Sequence, residues 1–251
     1  MLKLKGEGQV LHVTLDRPDV RNAFNDELIA ALTATFSQLD RSIRAVVLSG
    51  EGKSFCAGGD LQWMKKAAAY KEEENEADAL KLAGLFQSIV TCRAAVIAKV
   101  HGAAFGGGCG LVASADVAVA QAGTLFAFSE VRLGLIPGTI STVVIPKIGS
   151  GNARAYFSTG EAFDADVALR IGLVHDVCQE EQMESVVAAK LKAILSAGPE
   201  AVYQSKMLAQ EFGLSIPETA KRLARTRASE EGKEGVAAFL EKRKATFVAD
   251  S

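Results

Sequence analysis

The chain has 251 residues, enough for one large domain or a domain with a helical appendage. Nearly half of the residues are hydrophobic, and 28 basic side chains against 30 acidic ones leave a formal charge of −2. This balance carries no phosphate-backbone footprint and no polybasic anchor, so no nucleic-acid or membrane partner is expected.

The opening "MLKLKGEGQV" lacks the apolar run of a signal peptide and the Arg/Ser-rich look of a transit peptide. "QVLHVTLDR" alternates apolar and polar residues as a strand does, and "PDVRNAF" reads as a turn. "NDELIAALTATFSQLD" then places Leu28, Ile29, Leu32, Phe36 and Leu39 on one helical face, with Asn25 or Asp26 at the cap. "RAVVLSG" is a short buried strand, and "EGKSFCAGGD" a glycine-rich loop. The long segment beginning "LQWMKKAAAY" starts helical and is highly charged over Lys71–Glu76, which reads as a solvated face, before an apolar periodicity returns. "AAVIAKVHGAAF" reads as one buried strand, followed by "GGGCGLVASAD" as loop and helix. "VAVAQAG" and "TLFAFSE" are two further strands, and a helix breaks and restarts around Pro137. From Ser196 to the end the pattern is helical. The most apolar stretch, "GLVASADVAVAQAG", is interrupted by Asp116 and cannot span a bilayer. The expected class is therefore α/β, with residues 1–195 as the core and 196–251 as a helical region.

Cys56, Cys92, Cys109 and Cys178 form no C-x-x-C pair and no metal-ligand spacing. Reduced thiols, no metal and a cytoplasmic location are the expectation. "GEGKS" at 50–54 lacks the first glycine of a P-loop, because position 47 is Val47. The spacing G-x-G-x-x-G of a dinucleotide loop is absent at 106–111, where Leu111 follows Gly110. "CAGGD" and "FGGGCG" instead each lead from a strand toward a helix. Small residues let backbone approach a ligand closely, and free N–H groups at a helix start favour negative charge. Two such turns meeting at one carbonyl oxygen would make an oxyanion hole; tight packing alone would also explain the glycines.

Five segments in order then carry a resemblance: "LDRPDVRNAFN" at 15–25, "FCAGGDL" at 55–61, "HGAAFGGGCGL" at 101–111, "FSEVRLGLIPG" at 128–138 and "SEEGKEGVAAFLEKRKATF" at 229–247. Together they resemble the enoyl-CoA hydratase/isomerase (crotonase) superfamily almost end to end. The resemblance implies a crotonase-like spiral of ββα units with a C-terminal helical region that assembles trimers or dimers of trimers. It implies an acyl-CoA thioester as substrate, with coenzyme A part of that substrate and no separate cofactor. It also implies Gly59 and Gly107 as oxyanion-hole donors and Glu130 as the catalytic carboxylate. For substrate binding it points to Arg21, Ala23, Ala57, Gly58, Gly59, Asp60, Leu61, Ala103, Gly107, Gly110, Leu133, Pro137 and Gly138. On this reading Gly107→Val severely lowers turnover in a folded protein.

Typical hydratases of the superfamily carry a second glutamate where this chain has Gly110. One carboxylate can still perform a syn addition of water, giving a proton from one oxygen and taking one with the other, and an N–H near Gly138 would hold the water. The same single base suffices for a Δ3-Δ2 isomerase. A non-catalytic CoA-binding scaffold is disfavoured by Glu130. The segments around 101–120 and 128–149 resemble most the bacterial methylglutaconyl-CoA hydratases, which implies a substrate branched at C3, where a tertiary C–O bond needs less acid assistance. Gly110→Glu would reinstate the second carboxylate if space permits. His101 reads as structural, Asp60 as a helix cap, and Cys56 and Cys109 lack an activating base. Trp63 and Met64 suit the acyl pocket and the core equally. Arg132, Lys65, Lys66 and Lys147 are the cations weighed for a substrate carboxylate.

Overall fold

The computed structural model describes residues 1–211 and 213–248. The expected helical region therefore reaches, at 249–251, beyond the described residues. Strands β1 (Leu2–Glu7) and β2 (Val10–Leu15) form a hairpin, and a 3₁₀ turn at Pro18–Val20 leads to α1 (Asp26–Ser37). The Asn25 side chain accepts the Leu28 N–H and caps α1, whose buried face is Leu28, Ile29, Leu32 and Phe36. Leu39 falls two residues past the helix end but still packs against the core.

Next come β3 (Ala45–Gly50), α2 (Leu61–Ala67), α3 (Glu72–Thr91), β4 (Ala95–Val100), β5 (Ala103–Phe105) and α4 (Gly107–Ser114). They are followed by β6 (Val117–Gln121), β7 (Leu125–Ala127), α5 (Gly138–Thr159), β8 (Ala162–Asp164), α6 (Ala165–Arg170), β9 (Asp176–Cys178) and α7 (Met183–Ser196). Helices α8 (Pro199–Leu208), α9 (Ile216–Ala228) and α10 (Glu230–Leu240) end the described chain. No described helix is long and apolar enough to cross a membrane.

One reading of the sequence needs correction here. "AAVIAKVHGAAF" is not one strand but two, in different sheets. The chain turns at Gly102 (φ +64°), where a Cβ would sit 2.0 Å from the Lys53 carbonyl oxygen. β4 joins a six-stranded sheet in the order β1-β2-β3-β4-β6-β9, and β5 joins a three-stranded sheet, β5-β7-β8. The helix entered at Leu61 is likewise two helices, with α3 restarting after Lys71.

The repeat is now visible. β4–β5–α4 and β6–β7–α5 each send one strand to the large sheet, the next to the small sheet, and then a helix back. The two preceding turns of the coil follow the same plan in reduced form. Their second strands shrink to single parallel bridges, Phe24 to Gly59 and Cys56 to Ala104. The large sheet is parallel from β2 to β9 and covered on both faces, so its strands read as apolar runs. Alternate residues divide between two cores. Val46, Leu48, Val96 and Ala98 face Leu85, Phe86 and Ile89 of α3, whereas Val47, Ile97 and Val119 face Met183 and Val187 of α7.

A polar knot ties the first turn of the coil to the second. Asn22, fully buried and left-handed (φ 57°), accepts the Arg17 N–H at 2.8 Å and donates to the Glu51 and Ser54 carbonyls at 2.8 and 2.9 Å. Asn22→Ala strands three buried polar groups and is expected to cost about 2–4 kcal/mol. Thermal unfolding should show the midpoint falling by roughly 5–15 °C. Asn22→Asp, which keeps the acceptor but loses both donations, should not restore it. A midpoint within a degree of the wild type in either variant contradicts this account.

Candidate active site

The two glycine turns lie where the small sheet thins to single bridges. In the Phe24–Gly59 bridge the hydrogen bonds run from Phe24 N–H to the Gly58 carbonyl (2.7 Å) and from Asp60 N–H to the Phe24 carbonyl (2.9 Å). A parallel bridge of this register turns the N–H of Gly59 itself away from Phe24. Gly107 is the first residue of α4, and the first intrahelical bond runs from Gly110 to Gly106, so its N–H is one of the donors a helix start leaves free. Neither N–H has a hydrogen-bond partner among the described residues.

The glycines explain how close these segments come. Gly58 (φ +93°) lies against the Phe105 carbonyl, 3.0 Å from where its Cβ would be, and Gly108 lies against the Cys56 carbonyl at 2.3 Å. Gly107 faces the Phe24 ring at 2.7 Å, and Gly106 (φ +49°) faces the Glu130 carboxylate at 3.2 Å. Of the turn residues 58, 59, 106, 107 and 108, only Gly59 and Gly107 keep appreciable exposure. Gly107→Val would therefore collide with Phe24 as well as move the N–H, and it cannot isolate the donor as the sequence reading supposed.

Glu130 opens a 3₁₀ turn, Glu130–Leu133, directly after β7 and Phe128. Its Oε2 is buried and has no partner among the described residues. Burial pushes the carboxyl above the usual glutamate range, opposed only by its own backbone N–H. Trp63 and Met64 stand beside the other turn, with the benzo edge of the indole 3.3 Å and Met64 Cγ 3.2 Å from the Cβ position of Gly59, while the indole N–H, on the other side of the ring, serves Asp78 of α3. Both residues left open between pocket and core thus border a candidate donor.

The remaining predicted residues divide. Arg21 is exposed and left-handed, and its carbonyl accepts the Ala57 N–H at 3.0 Å; Ala23 is buried, its carbonyl held by the Arg17 guanidinium. Asp60 caps α2 through the Gln62 N–H and pairs with Arg17 at 2.9 Å. Burial alone would raise its carboxyl, but the Gln62 and Trp63 N–H groups and Arg17 hold it below the usual range. Leu61, at 81% exposure, and Leu133, at 60%, point to solvent. Ala103 accepts the Cys56 N–H at 3.1 Å, and Pro137 caps α5.

Two expectations meet obstacles. The Gly138 N–H already donates to the Ile136 carbonyl at 2.7 Å and is not free to hold water. Gly110 is buried, and its Cβ position lies 2.5 Å from the Phe86 ring and 2.9 Å from Ile140 Cγ2, so it faces packed core and not an open cleft. Space for a glutamate side chain is absent there. All four cysteines are free and buried, with the Cys56 thiol pushed up to about 12 by burial and Cys109 also raised. His101 joins Gly52 at 2.9 Å between the strands.

Sequence reasoning missed Arg17, Asn22, Phe24 and Phe86, which position the turns without touching the cleft. The only signal for the first three is their place in the "RPDVRNAFN" segment, where the resemblance singles out Arg21 and Ala23.

Comparison with known proteins bears on this geometry. Residues 5–250 match the family described as Enoyl-CoA hydratase/isomerase. The crotonyl-CoA hydratase of Syntrophomonas wolfei is 34% identical over 257 residues, covering 98% of this chain and 97% of that protein. The short-chain-enoyl-CoA hydratase of Clostridium acetobutylicum is 32% identical, covering 96% and 95%. The crystal structure of an enoyl-CoA hydratase from Shewanella pealeana superposes with a TM-score of 0.93 at 36% identity, covering 98% of this chain and 95% of that one. With a family match across nearly its whole length, and a two-sheet ββα coil shared with solved members, this chain belongs to the enoyl-CoA hydratase/isomerase family and has the crotonase fold.

Proposed function

We propose that the chain is an enoyl-CoA hydratase, adding water across the C2–C3 double bond of an acyl-CoA thioester with Glu130 as its one acid–base group. The observation that carries this reading is the buried Glu130 carboxylate, whose Oε1 lies beside Gly106, one residue from the Gly107 N–H, and whose Oε2 has no partner among the described residues. The thioester oxygen takes hydrogen bonds from Gly59 and Gly107, which stabilise the enolate as its charge develops; one such donor is worth about 10²–10³ in rate. Arg21, Ala23 and the backbone from Ala57 to Leu61 hold the CoA moiety. Ionised Glu130 takes a proton from water as the water oxygen bonds to C3, and then gives that proton to C2 of the resulting enolate, which returns it to the carboxylate form. No separate cofactor takes part.

The sealed surroundings of Gly110 support the one-base reading over a two-carboxylate one. A single base favours a substrate branched at C3, of the methylglutaconyl kind, because the tertiary C–O bond needs less acid assistance in the reverse direction. The relatives reported above are named for crotonyl and short-chain substrates, so the branch rests on Gly110 and on the resemblance of the segments around 101–120 and 128–149. A carboxylate on the acyl group finds less support. Arg132 donates to Gly160 at 2.7 Å, Lys66 pairs with Asp26 at 2.9 Å, and Lys147, half-buried, donates to the Ala115 carbonyl. The alternative with the same base is a Δ3-Δ2 enoyl-CoA isomerase. For assembly, the reading is a trimer or dimer of trimers. Its support is the apolar surface of α9 and α10, where Ile216, Leu223, Val236, Phe239 and Leu240 are 53–85% exposed.

Glu130→Gln keeps the shape and loses the base. Turnover should fall by about 10²–10⁴, while CoA-thioester binding persists. The sign for stability runs the other way. A carboxyl whose folded pKa lies above its unfolded value favours the fold at low pH and loses that contribution as pH rises through the folded value. At neutral pH the variant should therefore unfold at or above the wild-type temperature, and the acid limb of the wild-type rate profile should lie above the ordinary glutamate range. In water enriched in heavy oxygen, label entering at C3 in the wild type and absent in Glu130→Gln marks the hydratase. Double-bond migration without label marks the isomerase, and full activity in the variant rules out the single base.

Gly110→Glu should destabilise the fold by overpacking against Phe86, by about 1–3 kcal/mol or more, without raising straight-chain hydration. A stable variant with faster hydration would show that the core opens there.

Light scattering at micromolar concentration should return the mass of a trimer or hexamer; a monomer alone contradicts the assembly.

A further inference from the structure

At the edge of the large sheet where β3 and β4 begin, a cavity of about 40 Å³ is lined by Arg41, Arg44 and Arg93, with Ile194, Pro199 and Val202 closing it from α7 and α8. The glycine turns lie beyond the other ends of these strands. Six residues of β3 separate the two places, roughly 15–20 Å at strand spacing.

Arg44 is the unusual member. It is 7% exposed, and its guanidinium meets only neutral acceptors: the carbonyls of Phe247 (2.6 Å), Ala197 and Ile194 (3.4 Å), and the Gln9 amide oxygen (3.4 Å). Its Nε is buried with no partner among the described residues. Of the three arginines, only Arg93 has a carboxylate at ion-pair distance among the described residues, that of Glu200. Glu231 bears on Arg44 from farther off, but its two oxygens are taken by the Glu200 and Ala201 N–H groups at 3.0 and 2.8 Å. Three guanidiniums thus share two carboxylates: Glu200 pairs with Arg93, and Glu231 stands farther from Arg44 with both oxygens on backbone N–H groups, which leaves positive charge in excess.

An arginine does not shed its proton, so burying one against neutral acceptors leaves a charge that an oxyanion would meet with short, charge-assisted hydrogen bonds. The size fits: a water needs about 10–15 Å³ by the same measure, so the cavity takes a few waters or one tetrahedral anion, and no nucleotide. We propose that this cavity is a binding site for a phosphate-sized oxyanion, held by Arg41, Arg44 and Arg93, which fastens the start of the C-terminal helices to the ββα coil. The anion is free phosphate or a single phosphoryl group on a molecule that stays outside.

The test uses the full chain with its cleft saturated by coenzyme A, so that phosphate cannot act there. Thermal unfolding is followed against inorganic phosphate, with sodium chloride at equal ionic strength as reference. The expected result is a saturable rise of roughly 2–6 °C beyond the salt reference. In the Arg41→Ala/Arg93→Ala double variant, whose side chains lie at the exposed mouth, the affinity should fall at least tenfold. Adenosine monophosphate separates the sources: a matching rise supports the site as a receptor for a phosphoryl group, and no rise supports it as a site for the free anion. A wild-type rise no larger than that in salt overturns the proposal, as does an equal rise in the double variant.

Discussion

The structure around the candidate site depends on one contact between bare backbones. Gly58 rests on the Phe105 carbonyl, and Gly108 rests on the Cys56 carbonyl, at distances where a Cβ would stand 3.0 and 2.3 Å away. Any side chain at either position would wedge the second and third turns of the coil apart. Gly59 and Gly107 are each one residue from that contact. The same glycines that permit the approach therefore fix how far apart the two free N–H groups stand. Electrostatic stabilisation of a developing charge requires donors held in place beforehand, and a backbone–backbone contact is stiffer than any pair of side chains could be.

The surrounding residues hold the contact from outside. Phe24 fills the Cβ space of Gly107 and forms the single bridge to Gly59, so one residue sets both turns. Its own position is fixed by neighbours: Asn22 anchors the preceding turn to the Glu51–Ser54 loop, and Arg17 reaches from Ala23 to Asp60. The four glycines at 106, 107, 108 and 110 consequently have four different reasons. One lies against a carboxylate, one against an aromatic ring, one against a carbonyl and one beneath a helix. Only the second combines packing with an exposed donor.

The division explains what could be read beforehand. Strands β3, β4 and β6 were legible as apolar runs, and strand β2 and helix α1 because one buried face imposes a period that the side chains display. The two turns were legible as glycine-rich segments, and Glu130 through its place in an ordered set of motifs. The break at Gly102 was not, because "AAVIAKVHGAAF" is apolar on both sides and the two sheets want the same residues. Gly110 misled for a related reason: a missing carboxylate and a packing glycine are the same letter. What separates them is Phe86, 24 residues earlier on α3, and no local pattern links the two positions.

A folded chain ordinarily gives every buried polar group a partner, and exceptions call for an explanation. Here one of the exceptions belongs to the candidate site: Glu130, whose Oε1 lies against Gly106 while its buried Oε2 has no partner among the described residues. That carries a cost that packing elsewhere must offset. A bound thioester and water would change that, because they bring polar atoms to the same place. On the proposed function the cost is recovered when substrate binds, most fully where charge moves through Glu130, so that a group that destabilises the free protein favours the reacting complex over it.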